Sequence, residues 1–493
     1  MNYYIAVLVL FLVSFICWHN PQRGLRLAVF FVPWHGLDLE VGVGAKAAAF
    51  FWAGLIPVAL WGTKGQPTRT NTLGILFICW VLATSAVQIP LLPDVEVIGG
   101  PLRQGGFRTF FSMLMFLLTV SPLLFVPRLV NTQEDTMELA EVYVWSVIIL
   151  SLIAWFQMVV FRLTGVDPVP IGLVKTWAGG DTAPHLMQTV SAMTTYGEEN
   201  FFRPGSFGGE PKDLAMFILV ALIMVQVALS YNYDRSYRDY RLLAVWIFLF
   251  ATMLVTLSSS AYILFPIACA VSMAVQMIPF RSFIKPRAQY LLLQLFLVGV
   301  LGSLAYLTYS YGASGEGVLG ILHERTFGRF DRGEAEQSLY YHEDHDEPII
   351  SFFLDNPYRS IIGLGLGNAH LYSYPYYPYS YTEGIYCHVA KRGYLRMISE
   401  TGFIGLLLLI LWLASHLYRL MRILPALPER DRIMGTRIAI ACTVIFVVFL
   451  GGGQTTWPFF LAFGILVAFS EAVFASWMAR KDPVRDLLVT ARE

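Results

Sequence analysis

Apolar runs close to or above the roughly 18 residues that a bilayer crossing requires recur along the whole chain, and a water-soluble fold has no interior large enough for them. Helices are expected near Tyr3 to Ile16, Leu25 to Val32, Ala47 to Leu60, Leu73 to Leu92, Phe110 to Val126, Val142 to Phe161, Leu214 to Ser230, Leu242 to Leu257, Ala261 to Ile278, Tyr290 to Tyr309, Phe403 to Leu417, Ile438 to Leu450 and Phe459 to Trp477. Hydrophobic residues make up 56% of the 493 and charged residues only 14%, against roughly 25% charged in soluble domains. The fold class that follows is all-α: one polytopic membrane domain over residues 1–493, with about 12 to 13 transmembrane helices and a large external loop. The second helix is the weakest, because Pro33, Gly36, Asp38 and Glu40 interrupt it; a broken or re-entrant piece buried in protein fits that pattern.

Lys and Arg between short hydrophobic neighbours mark the cytoplasmic turns. Arg235, Arg238 and Arg241 form one group, Arg281, Lys285 and Arg287 a second, and Arg419, Arg422, Arg430, Arg432 and Arg437 a third; Arg480, Lys481 and Arg485 put the tail on the same side. Counting spans back from that tail places two polar loops, 163–213 and 311–401, together on the external face. The side of the N-terminus depends on whether the weak second helix crosses. With no basic n-region and no small-residue cleavage site, the first span is expected to stay as a helix.

The formal net charge is zero, which argues against nucleic acid as a partner. Of five cysteines only Cys387 falls in an external loop, so no disulfide framework is expected. There is no internal repeat of the kind that marks many secondary transporters.

In the first loop, FRPGSFGGEPKDLA (202–215) runs straight into the seventh helix. Arg203 therefore stands just outside the membrane beside a turn made pliable by Gly205, Gly208 and Gly209. Its guanidinium is suited to a lipid diphosphate through bidentate, charge-assisted hydrogen bonds; the plain alternative is an arginine snorkelling at the interface.

The second loop carries Arg325, Arg329 and Arg332 at spacings that share one face of a helix, forming either a cationic patch or charges paired with Glu324, Asp331, Glu334 and Glu336. His342, Asp344, His345 and Asp346 are dense enough to suggest a divalent metal, yet no third ligand stands at a telling distance, and no metal is assigned. The glycines of DNPYRSIIGLGLGNA (355–369) look like a phosphate cradle but lack the strand and helix such a motif needs, so a tight turn back toward the membrane is the better reading. From Tyr372 to Tyr386 an aromatic loop broken by Pro375 and Pro378 offers Tyr376 and Tyr379 for stacking on sugar rings, or for anchoring at headgroups. In CHVAKRGYLRMISETG, His388, Lys391, Arg392 and Arg396 share much of one helical face, and Glu400 lies at the membrane edge. A histidine, or a lysine of lowered pKa, can serve there as general base; solvated surface charge is the plain alternative.

Three stretches taken together, FRPGSFGGEPKDLA, DNPYRSIIGLGLGNA and AKRGYLRMISETGFIGLLLL, resemble the O-antigen polymerase and ligase family of bacterial membrane glycosyltransferases. The resemblance covers roughly the C-terminal 60% of the chain. It implies a C-type glycosyltransferase architecture in the bacterial inner membrane, with the site on the periplasmic face and no cofactor. The implied donor is an undecaprenyl-diphosphate-linked glycan, and a chain-length regulator and a flippase of the same pathway are the implied protein partners. Arg203 falls on the family's arginine before the glycine turn, and one of Arg325, Arg329 and Arg332 stands for its loop arginine. The family histidine nine residues before the E-x-G glutamate is here Lys391, before Glu400, with His388 three residues earlier. Lys391 or His388 is therefore the implied base. Arg392, Glu400, Tyr376 and Tyr379 join the loop arginines as candidate substrate-binding residues.

The expected activity is polymerisation of a surface polysaccharide from lipid-linked repeat units. A ligase that transfers the glycan to a lipid acceptor uses the same donor. A flippase would instead place charges along a path within the membrane helices, whereas here they gather in the loops.

Overall fold

The computed structural model describes residues 2–40, 44–62, 72–95, 105–130, 132–169, 193–196, 199–231, 237–278, 280, 284–311, 346–376, 390, 392–452 and 455–481. Its helices are α1 (Asn2–His19), α2 (Pro21–Phe30), α3 (Ala47–Pro57), α4 (Thr72–Gln88), α5 (Gly105–Val120), α6 (Pro122–Leu129), α7 (Gln133–Thr164), α8 (Pro211–Ser230) and α9 (Tyr237–Val255). They continue as α10 (Ser259–Met277), α11 (Ala288–Tyr311), the short α12 (Glu347–Asp355), α13 (Pro357–Ile362) and α14 (Ala369–Ser373), then α15 (Gly393–Ile423), α16 (Glu429–Gly451) and α17 (Thr456–Lys481). Two small antiparallel hairpins supplement the helices: β1 (Asp38–Glu40) with β2 (Gly44–Lys46), and β3 (Met193–Tyr196) with β4 (Glu199–Phe202).

Eight of the described helical spans are long and apolar enough to cross a membrane, and four shorter apolar helices accompany them. The chain is a multi-pass helical membrane protein. α8 is its central column, buried on almost every side, and α16 and α17 are nearly as enclosed.

Local chemistry sets the helix limits. Thr132 caps α7 through a reciprocal box with Asp135, and Gly165 closes it in the left-handed region at φ 70°. Pro211 opens α8, where the missing N–H costs nothing. The run expected as one helix from Phe110 to Val126 divides at Ser121, because Pro122 cannot donate to the preceding turn and instead begins α6.

Ion pairs and side-chain hydrogen bonds order the two ends of the bundle. Arg430 pairs with Glu134 (2.9 Å) and Arg26 with Glu138 (2.7 Å), while Arg437 donates to the Tyr231 carbonyl (2.6 Å). The Arg287 amide donates to the Ser230 carbonyl (3.1 Å). The end of α8 at Ser230 and Tyr231, the basic residue Arg287 and the α15–α16 connection thus share one end. At the opposite end lie Arg203, the Gly363–Asn368 turn and the start of α15.

The weak second helix is indeed broken. α2 leaves the basic end, capped by Asn20, and stops after ten residues at Phe30, about 15 Å of helix. Turns through Trp34, His35 and Gly36 complete the traverse, so that the Gly36 amide donates to the Phe207 carbonyl at the far end (2.9 Å). The Trp34 indole donates to Ser146 Oγ (2.9 Å), and Ser146 in turn donates to the Phe30 carbonyl. With this crossing counted, the Asn2 end of α1 lies opposite the basic end, whereas α17 finishes near the basic end, where Arg419 stands 4.0 Å over the Phe474 ring. That resolves on which end the first helix begins.

α15 departs from expectation in length and shape. It starts at Gly393, ten residues before the expected Phe403, and is kinked at Gly402 (φ 73°, ψ 174°). The kink releases successive carbonyls from the helix. The Leu364 amide takes that of Ser399 (2.8 Å), the Gly365 amide that of Glu400 (3.0 Å) and the Trp80 indole that of Thr401 (2.8 Å). No side chain fits at the kink, since a Cβ on Gly402 would lie 2.1 Å from the Ile361 carbonyl oxygen. Gly402→Ala is therefore expected to lower the thermal midpoint of the detergent-purified protein far more than Gly165→Ala. Gly165 has a similar φ of 70° but open space around it, so its substitution costs only about 1 kcal/mol of backbone strain.

Candidate functional site

The end of the bundle opposite the basic turns carries two built regions. The first is the turn before α8. Arg203 is half-buried there and donates through Nε to the Thr256 carbonyl (3.1 Å), which belongs to the sharp turn joining α9 to α10. Pro204, Gly205, Ser206, Gly208 and Gly209 are buried. Ser206 takes φ 51°, an uncommon conformation for a residue with a side chain.

Gln157, fully buried on α7, holds that conformation. Its carbonyl accepts the Ser206 amide (2.9 Å), and its amide nitrogen donates to both Asp167 carboxylate oxygens (2.7 and 2.9 Å). Burial pushes the Asp167 carboxyl above its ordinary pKa, opposed by the Val169 amide and by Gln157. From below, the broken crossing closes on the turn, with the Trp34 ring stacked on Phe207 at 5.5 Å. A Cβ on Gly36 would meet the Gly209 backbone at 2.9 Å, so the two main chains touch. His35 Nδ1 stands 4.0 Å from Asp213 Oδ2 in the first turn of α8. Arg203 is thus set on a turn fixed by Trp34 and Gly36 beyond α2, by Gln157 of α7 and by the start of α8, and its own guanidinium ties it to the α9–α10 connection.

The second region is the large loop seated on α15. Gly363, Gly365 and Gly367 take φ of 84°, 81° and 73°, as a tight turn requires. The amides of residues 363 to 366 are all donated inside the protein, to Arg359 O, Ser399 O, Glu400 O and Ser85 Oγ. This stretch therefore does not cradle phosphate with those amides; it is the turn back toward the membrane that its sequence suggested. Buried Asn368 secures it, accepting from Thr109 (2.8 Å) and donating to the Leu364 carbonyl (3.2 Å). Arg359 Nη1 donates to Gln88 Oε1 (2.9 Å), and the guanidinium carbon lies 5.2 Å from the centre of the Tyr372 ring. Burial raises the Tyr372 phenol pKa against the opposing pull of Arg359.

Of the residues singled out in the sequence, Arg396 and Glu400 meet at the head of α15, and Arg392 stands just before it, paired with Asp346. Arg392 Nε is 3.4 Å from Asp346 Oδ2, and Arg396 Nε is 3.5 Å from Glu400 Oε1, one helical turn on. Glu400 is buried, so its carboxylate faces protein and its own arginine. Arg392 does not share a helical face with Arg396 as expected: it is the extended residue before the helix (φ −78°, ψ 128°), because α15 starts only at Gly393. Gly393 is pressed so closely on Phe449 that an added Cβ would fall 1.8 Å from its carbonyl oxygen. Tyr376 ends a helical stretch rather than standing in an irregular loop. Its hydroxyl donates to Asp355 (2.7 Å), a bond that raises the phenol pKa.

His388, Lys391, Tyr379, Arg325, Arg329 and Arg332 lie outside the described residues, as do His342, Asp344 and His345. Among the described residues no group of three or more His, Cys, Asp and Glu side chains is placed to hold a metal ion. Gln157 was missed in the sequence although a lone amide inside an apolar span is a visible signal. His35 and Trp34 were missed because their importance comes entirely from what the broken crossing touches.

Gln157→Leu is expected to orphan the Ser206 amide and to deprive Asp167 of a donor. Each buried group left without its partner costs about 1–3 kcal/mol. Losing a donor raises the Asp167 carboxyl further in the folded state, so the drop in thermal midpoint should be larger at neutral pH than in acid, where the carboxyl is protonated in both states. A deficit of equal size at both pH values would remove Asp167 from the explanation.

No protein-family model matches the chain, and no curated protein matches it.

Proposed function

We propose that this protein is a membrane glycosyltransferase of C-type architecture. It lengthens a surface polysaccharide by joining oligosaccharide repeat units carried on undecaprenyl diphosphate. The observation that carries the reading is the seat of Arg203: a guanidinium at the mouth of the bundle, on a turn braced from four directions and directly preceding the central helix α8. A fixed cation at a membrane edge is what a lipid diphosphate leaving group needs. Its charge grows as the glycosyl bond breaks, and a preorganised donor meets it without reorganisation. The start of α15 adds Arg392 and Arg396 at the same end of the bundle, beside the segment that contains His388 and Lys391. One of those two residues would take the proton of the acceptor hydroxyl. The three-stretch resemblance to the O-antigen polymerases and ligases supplies the substrate class, and the mouth then faces the periplasm.

The test is elongation by purified protein supplied with lipid-linked repeat units. Arg203→Ala is expected to lower turnover by about 10²–10³-fold at unchanged protein level and membrane insertion. Arg203→Lys should recover only part, lacking the bidentate fork. Elongation should persist in EDTA. If Lys391 is the base, Lys391→Ala eliminates turnover and His388→Ala is mild; if His388 is, the order reverses. Near-normal elongation by Arg203→Ala would return the residue to interfacial snorkelling and sink the proposal. Transfer of glycan to an added lipid acceptor in place of longer glycans would identify a ligase.

A further inference from the structure

The corner of the large loop made by α12 and α13 presents apolar side chains on two faces, and among the described residues only one of them is covered. Ile349, Phe352 and Phe353 of α12 are buried in a small core with Leu364, Leu395 and Ile398. On the outside, Leu354 is 77% exposed, Tyr358 58%, Ile361 50% and Ile362 38%. Both short helices thus expose apolar side chains on the side away from that core, beside the exposed Asp355, and an exposed apolar patch of this kind marks a partner.

The position of the corner indicates which partner. α13 lies directly on the α15 kink, with the Ile361 carbonyl against Gly402. The next residue, Phe403, begins a column of exposed apolar side chains continuing through Leu407, Ile410 and Leu411. On the other flank Arg359 and Tyr372 both bond to Gln88 at the end of α4, and that helix end exposes Val87, Ile89 and Leu91. The uncovered corner is thus continuous on both sides with the lipid-facing surface of two membrane-crossing helices. It also carries the residues that suit the polar–apolar boundary of a bilayer: a tyrosine, and an arginine whose guanidinium lies 5.5 Å from the Tyr358 ring.

We propose that this corner is a membrane-seated foot: Leu354, Tyr358, Ile361 and Ile362 enter the boundary between headgroups and acyl chains of the bilayer that the helices cross. The large loop is then held at the lipid surface by its own side chains as well as by its bonds to α15. The inference stands apart from the proposed chemistry and holds whether or not the protein transfers sugars.

The test is photo-crosslinking of the full chain in nanodiscs of phosphatidylethanolamine and phosphatidylglycerol. p-Benzoylphenylalanine replaces Leu354 or Ile361, with Phe403 as the lipid-facing reference and the exposed Arg430 of the polar end as the water-facing one. Phospholipid adducts at 354 and 361 are expected in yields within a few-fold of those at 403 and at least about tenfold above those at 430. Adduct levels at 354 and 361 no higher than at 430 would overturn the proposal. So would crosslinks from these two positions in native membranes that go to another polypeptide in place of lipid, since the face would then belong to a protein partner.

Discussion

Three backbone carbonyls at one kink hold the outer half of this protein together. A continuous α15 would keep the carbonyls of Ser399, Glu400 and Thr401 for its own hydrogen bonds, and the large loop would be left with its bonds to the side chains of Ser85 and Gln88 on α4 and Thr109 on α5. By turning at Gly402 the helix gives them to Leu364, Gly365 and Trp80, which come from the loop and from α4. A buried peptide group without a partner is costly near lipid, so kink, loop and α4 each require the other two. The positions of Arg392, Arg396, Glu400 and Arg359 all follow from this joint.

The turn that carries Arg203 obeys the same logic with different groups. A turn from Pro204 to Gly209 with three glycines would wander if left alone; Gln157 on one side and the Gly36 backbone on the other remove that freedom. Close main-chain contact does what bulky packing does elsewhere, which is why small residues crowd both this turn and the α15 kink. Both regions of the candidate site are therefore pinned by bonds to backbone atoms, to which Arg203 and Arg359 add side-chain bonds of their own, to the Thr256 carbonyl and to Gln88.

The crossing helices were legible because about twenty predominantly apolar residues have few other options. The broken second span was legible too, since Pro33, Gly36, Asp38 and Glu40 cannot lie in lipid as a plain helix. The turn at residues 363–368 was readable from its glycines once a βαβ context was missing. That helix precedes the span at Phe403 was read from the spacing of Arg392 and Arg396, but its start at Gly393 and its union with the span were not, because Gly393 to Thr401 carries mixed polarity and packs against α16 and the loop. Nor could spacing alone reveal that Arg396 would meet Glu400 in a buried pair while Arg392 turned to Asp346. Long-range partners such as Gln157 with Ser206 leave no local periodicity to read.

The interrupted second crossing bears on how the chain is made. Its exposed peptide groups are satisfied by Ser146 and by the Phe207 backbone, more than a hundred residues further along. A segment emerging from the ribosome as Pro21 to Lys46 has none of those partners and cannot rest stably in hydrocarbon by itself. It must wait at the membrane surface, or be sheltered by the insertion machinery, until α7 and the glycine turn have been synthesised. The Arg203 turn thus receives its floor from a segment made long before it, and a fault that keeps Trp34 and Gly36 from reaching Phe207 and Gly209 leaves the turn without that floor.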